Sequence, residues 1–150
     1  MKTTRVVLAD DHPIVRASIR RLLEKADDIE VVGEAGDGIE TIRLVEELAP
    51  DVLLLDVEMP GMKGFEVARR LMAAGASVRI LALSAYDDKQ YILAMLASGA
   101  TGYLTKEEAP QTIIHAVREA VEGRTDIENP ARAEDSPRPD NPGGAEQSDV

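Results

Sequence analysis

Short apolar runs alternate with amphipathic stretches along most of this 150-residue chain. Val6-Val7-Leu8-Ala9 reads as a buried strand, and a helix follows, entered at Pro13, a residue favoured in a first helical turn. Val15, Ile19, Leu22, Leu23 and Ala26 recur at helical spacing along it. Ile29 to Val32 predicts a second strand. A Gly-rich turn over Gly33–Gly38 then leads to a helix with Ile39, Ile42, Val45 and Leu48 on one face. Pro50 closes that helix. Val52-Leu53-Leu54-Leu55 is a third strand, and four apolar residues in a row mean burial on both faces, as in the middle of a parallel sheet.

Phe65, Ala68, Leu71 and Met72 place a third helix, and Val78 to Leu83 a fourth strand. Asp87 is positioned to cap a fourth helix that Gly99 ends. A short strand around Tyr103-Leu104 precedes the last helix, which Pro110 opens and which turns Ile113, Ile114, Val117 and Val121 inward as far as Gly123. Five strands alternating with five helices predict an α/β fold: a five-stranded parallel sheet, doubly wound in flavodoxin-like (βα)5 order. Functional groups on such sheets collect at the carboxyl ends of the strands.

The character changes after Gly123. Residues 124–150 hold four of the eight prolines, almost no large apolar side chain and a charge of −4 out of the chain's −11. The expected organisation is one globular domain over 1–123 and a disordered, acidic, Pro-rich tail over 124–150. So acidic a chain does not hold a phosphate backbone through its net field, which argues against direct nucleic-acid binding. No apolar run approaches the roughly 20 residues of a membrane span, and Met-Lys-Thr-Thr-Arg leads straight into a strand without signal-peptide design. No membrane association and a cytoplasmic location are expected. The absence of cysteine excludes disulfides, thiolate metal sites and cysteine nucleophiles.

The polar residues at the predicted strand ends are Asp10 and Asp11, Asp56, Ser84, and Lys106. Singly, each reads as a turn former, a cap or a solvated charge. Together they converge on one rim of one sheet. Two unit charges about 4 Å apart repel by on the order of 4 kcal/mol at an effective dielectric near 20. A carboxylate cluster therefore calls for a cation, and hard oxygen donors suit Mg2+ or Mn2+. A metal, a lysine and a hydroxyl would bind the oxygens of a phosphoryl group and leave one carboxylate as nucleophile. His12 reads as a capping or rim residue and His115 as solvent-facing. No histidine metal site or general base is expected. Gly36, Gly38, Gly61 and Gly64 read as turn glycines, and no phosphate-binding loop ending in Lys-Ser or Lys-Thr occurs.

Five motifs carry a family resemblance: Asp10-Asp11-His12-Pro13-Ile-Val-Arg16; Gly33-Glu34-Ala35 with Asp37-Gly38; Asp56-Val-Glu58-Met59-Pro60-Gly61-Met-Lys-Gly64; Leu-Ser84-Ala85-Tyr86; and Gly102-Tyr103-Leu104-Thr105-Lys106. Over residues 3–123 the chain resembles bacterial response-regulator receiver domains of the NarL/FixJ subfamily. The resemblance implies Asp56 as phosphoacceptor. It implies a Mg2+ held by Asp11, Asp56, the Glu58 carbonyl, and Asp10 directly or through water. Ser84 and Lys106 would contact the phosphoryl group, Tyr103 would be a rotamer switch responding to Ser84, and Glu58 and Tyr86 would tune the phosphoryl lifetime. Such a protein is a self-phosphorylating and self-dephosphorylating switch rather than a turnover enzyme. Its expected partners are a sensor histidine kinase or phosphotransfer protein, a downstream protein target and a second copy of itself.

The fourth helix is apolar over Tyr91–Ala97, more than one core can absorb, so Tyr91, Leu93 and Met95 are expected to form a partner surface beside Tyr103. Subfamily members usually continue into a helix-turn-helix. The tail favours a stand-alone receiver that signals through protein contacts over a DNA-binding transcription factor lacking that half. A metal-dependent hydrolase with an aspartyl phosphate intermediate is a third reading, disfavoured because Glu58 stands where those enzymes carry a second Asp.

Overall fold

The computed structural model describes residues 2–84 and 89–122. Ala85, Tyr86, Asp87, Gly123 and the expected tail lie outside them, as therefore do the lifetime-tuning role of Tyr86, the Asp87 cap and the domain boundary at Gly123. The element order is β1 (Thr4–Ala9), α1 (Pro13–Leu23), β2 (Ile29–Ala35), α2 (Gly38–Leu48), β3 (Val52–Asp56), α3 (Gly64–Ala73), β4 (Arg79–Ser84), α4 (Lys89–Ala97), β5 (Gly102–Thr105) and α5 (Ala109–Glu122). The five strands form one parallel sheet in the order β2-β1-β3-β4-β5. The predicted doubly wound fold is the observed one.

Alternation along the central strands divides the core in two. Val6, Leu8, Val52, Leu54, Leu81 and Leu83 pack with Ile19 and Leu23 of α1 and with Ile113 and Val117 of α5. Val7, Leu53, Leu55, Ile80 and Ala82 pack on the other face with Val45 of α2, Val67 and Leu71 of α3 and Met95 of α4. Every residue of β3 is buried, as its unbroken apolar run predicted.

Four expectations need correction. The predicted turn at Gly33 is the end of β2, which runs on to Ala35 because a bulge at Val32 resets its register, pairing Val6 with Val31 but Val7 with Gly33. A Cβ on Gly33 would lie 3.0 Å from the Leu48 side chain, so a larger residue there requires Leu48 to give way. Ile39 is 74% exposed, because the first turn of α2 packs through Gly38 against Met62 and Val67. Val121 is also exposed, and α5 instead turns Ala116 and Ala120 inward. Met95, expected on a partner surface, is 1% exposed and belongs to the core; of that trio, Leu93 is exposed and Tyr91 partly buried.

Candidate phosphoacceptor and metal site

Strand ends place the chemistry. Asp10 follows β1, and its main-chain N–H is held by the Ala35 carbonyl at 3.0 Å. Asp56 is the last residue of β3, Ser84 the last of β4, and Lys106 follows β5, with its N–H on the Ser84 carbonyl at 2.7 Å. Parallel pairing of β1, β3, β4 and β5 brings these four positions to one rim, where Asp10, Asp56 and Ser84 are buried.

Lys106 Nζ lies 2.9 Å from Asp10 Oδ2 and 3.2 Å from Asp56 Oδ2. The other oxygen of Asp56 accepts the Glu58 N–H at 3.1 Å. Burial pushes the Asp56 carboxyl up to about 6; the Glu58 N–H and Lys106 pull it down, and Asp10 pushes it further up. Burial lowers Lys106, but its ion pair with Asp10 and the Asp56 charge outweigh that and leave it above the ordinary lysine value. The loop after Asp56 turns tightly. Gly64 N–H donates to the Val57 carbonyl at 3.1 Å, and a Cβ on Gly64 would come within 2.8 Å of the Val57 Cα, so α3 starts this close to Asp56 only with glycine.

Asp10, Asp11, His12 and Asp56 each offer a ligand atom, all within 4.8 Å of one another. Asp11 Oδ1 is shielded from solvent and accepts no hydrogen bond, which is costly for a carboxylate oxygen and fits a cation ligand. The acidic pair and Asp56 thus suit a hard dication.

Two contributors were not anticipated. His12, read from the sequence as a rim residue outside any metal site, brings Nδ1 to 3.2 Å from Asp10 Oδ1 and 3.0 Å from Asp11 Oδ1. Arg16 donates to the Asp10 carbonyl at 2.5 Å and to Glu34 at 3.0 Å, and Arg20 also bonds Glu34. Burial pushes the Glu34 carboxyl up, but the Arg20 and Arg16 bonds prevail and hold it below its ordinary value. The four-residue spacing from His12 to Arg16 was the available signal, since it puts Arg16 about one helical turn on from the residue that follows the acidic pair. Ser84 sits at the rim as expected, and Tyr103 packs partly buried against the α2–α4 core. His115 is solvent-facing, as read.

Residues 6–118 match the response regulator receiver domain family. The chain belongs to that family. It is 40% identical over 118 residues to the nitrate/nitrite response regulator protein NarL of Escherichia coli K12, covering 79% of this chain and 55% of that protein. It is 41% identical over 119 residues to the uncharacterized transcriptional regulatory protein YxjL of Bacillus subtilis, again covering 79% and 55%. The chain spans about half the length of the curated relatives it matches. Among solved structures it resembles a two-component response regulator of the LuxR family from Aurantimonas sp. SI85-9A1, with TM-score 0.81 and 35% identity over 89% of this chain and 94% of that one. The chain is thus a receiver domain of response regulators, and its relatives include NarL-type regulators.

Proposed function

We propose that Asp56 accepts a phosphoryl group from a phosphohistidine of a sensor kinase or phosphotransfer protein, or from a small phosphodonor. The observation that carries this reading is the convergence of Asp56, Asp10, Asp11 and Lys106 on one strand rim. An Asp56 carboxylate oxygen attacks phosphorus in line; the new O–P bond forms as the N–P bond to the donor imidazole breaks, and the imidazole leaves with that electron pair. Asp11, Asp56, the Glu58 carbonyl and Asp10 would hold Mg2+ or Mn2+. When bound, the ion supplies charge neutralisation on the transferred oxygens. Lys106 orients and neutralises one of those oxygens, Ser84 donates a hydrogen bond to another, and the Glu58 N–H fixes the Asp56 carboxylate.

The aspartyl phosphate brings roughly two negative charges at neutral pH. Ser84 moving toward it opens space for Tyr103, and the change is passed to the α4 surface at Tyr91 and Leu93. Glu58 tunes how long the phosphoryl group lasts. The domain acts in the cytoplasm as a switch that is set and reset rather than as a turnover enzyme, and it engages a downstream protein or a second copy of itself. Control of a DNA-binding output is the second reading, favoured by the longer transcriptional regulators it matches.

Incubation with acetyl phosphate and Mg2+ should add one phosphoryl group by intact mass, and Asp56→Ala should abolish the addition. Retained labelling in Asp56→Ala overturns the assignment.

A further inference from the structure

His12 approaches two carboxylates in two different ways. Its Nδ1 is hydrogen-bonded to Asp10 Oδ1 at 3.2 Å. It lies closer still to Asp11 Oδ1, at 3.0 Å, yet Asp11 Oδ1 accepts no hydrogen bond. The two atoms are near each other without being aimed at each other. That is how two ligands of one ion stand: with ligand distances of about 2.1 Å, neighbouring ligand atoms of an octahedral dication are about 3.0 Å apart. Asp10, Asp11, His12 and Asp56 each place a ligand atom in this same cluster. The bond to Asp10 lies within this same cluster and would give way to a shared ion. His12 stands at the N-cap of α1 but makes no side-chain cap bond, and its ring is 63% exposed over the mouth of the site.

We propose that His12 is a nitrogen ligand of the site, which therefore holds first-row transition dications from Mn2+ to Zn2+ more firmly than its carboxylates alone would, with no matching gain for Mg2+. This rests on the reading of the Asp10–Asp11–Asp56 cluster as a metal site and names the class of ion it takes. The chemistry is that of ligand softness: carboxylate and water suit Mg2+, whereas imidazole suits the borderline ions and adds little for a hard one.

The test uses the untagged full chain, His12→Ala, and His115→Ala as control, because His115 is the second of the chain's two histidines and has Glu119 at 3.9 Å. Pulsed electron paramagnetic resonance of the Mn2+-loaded protein should show nitrogen modulation that His12→Ala removes and His115→Ala keeps. Calorimetric titration should show Co2+ binding about tenfold weaker in His12→Ala and Mg2+ binding within about twofold of the parent. Thermal melts in chelator check that the variant is folded. Nitrogen modulation absent from the parent or persisting in His12→Ala overturns the proposal. An equal loss of Co2+ and Mg2+ affinity overturns it too, since His12 would then only align Asp11. If the parent binds neither Mg2+ nor Mn2+ and Asp11→Asn changes nothing, the metal-site reading itself falls.

Discussion

Asp56 keeps the Lys106 ammonium 3.2 Å away and still ionises late, near pH 6, because burial outweighs the pairing. In the unfolded chain the same carboxyl titrates near its ordinary value of 3.8. Between those values the folded protein holds a proton that the unfolded chain releases, so this group's contribution to stability falls as pH rises from about 4 to about 6. Above that window the buried charge is a standing cost, bounded by on the order of 3 kcal/mol.

Asp56→Asn should therefore be more stable than the parent at pH 7.5 in chelator, by several degrees in Tm. Lys106 keeps Asp10 at 2.9 Å as a partner in that variant. The gap should close as pH is lowered through 6 toward 4. Melts followed by circular dichroism across that range check both statements, and a variant less stable than the parent at pH 7.5 contradicts the cost assigned to the buried Asp56 charge.

Arg16 bridges the Asp10 carbonyl and Glu34, tying the end of β1 to the end of β2 behind the acidic pair. Only a planar, forked donor spans both acceptors. Arg16→Lys keeps the charge and loses the span, so Mg2+ affinity by calorimetry should fall several-fold, with stability lower by about 1–2 kcal/mol. An account based on net charge alone predicts unchanged Mg2+ affinity. Glu34→Gln, which leaves the Asp10 contact in place, should have the smaller effect on Mg2+.

The strand rim was legible because period and position suffice for it. Val52–Leu55 is too apolar for any place but the centre of the sheet, and the residue after such a strand must lie at the rim. What escaped depended on phase or on contacts distant in sequence. Gly33 reads as part of a turn, yet the strand persists to Ala35 because β1 pairs with it across the Val32 bulge. Ile39 was assigned to the buried side because a helical stripe fixes spacing, whereas the contact of Gly38 with Met62 fixes its rotation. His12 and Arg16 stood in a recognisable motif, but their roles come from how the first turn of α1 is set against Asp10.

The fourth helix shows the phase problem most sharply. With Tyr91–Ala97 apolar throughout, nothing along the sequence separates Leu93 from Met95, yet Leu93 is 47% and Met95 1% exposed. Met95 lies with Ile80, Ala82 and Ala100 in the α2–α4 core. Met95→Ala should therefore cost about 2–4 kcal/mol through lost burial and a residual cavity. Leu93→Ala should stay within about 0.5 kcal/mol of the parent. Urea denaturation with unchanged m-values measures both. Equal losses at the two positions would mean that Leu93 is also core, leaving α4 without the apolar side chain its proposed output surface needs. Loss at Met95 alone leaves Leu93 as the place where a partner-binding defect can be sought in a protein that still folds.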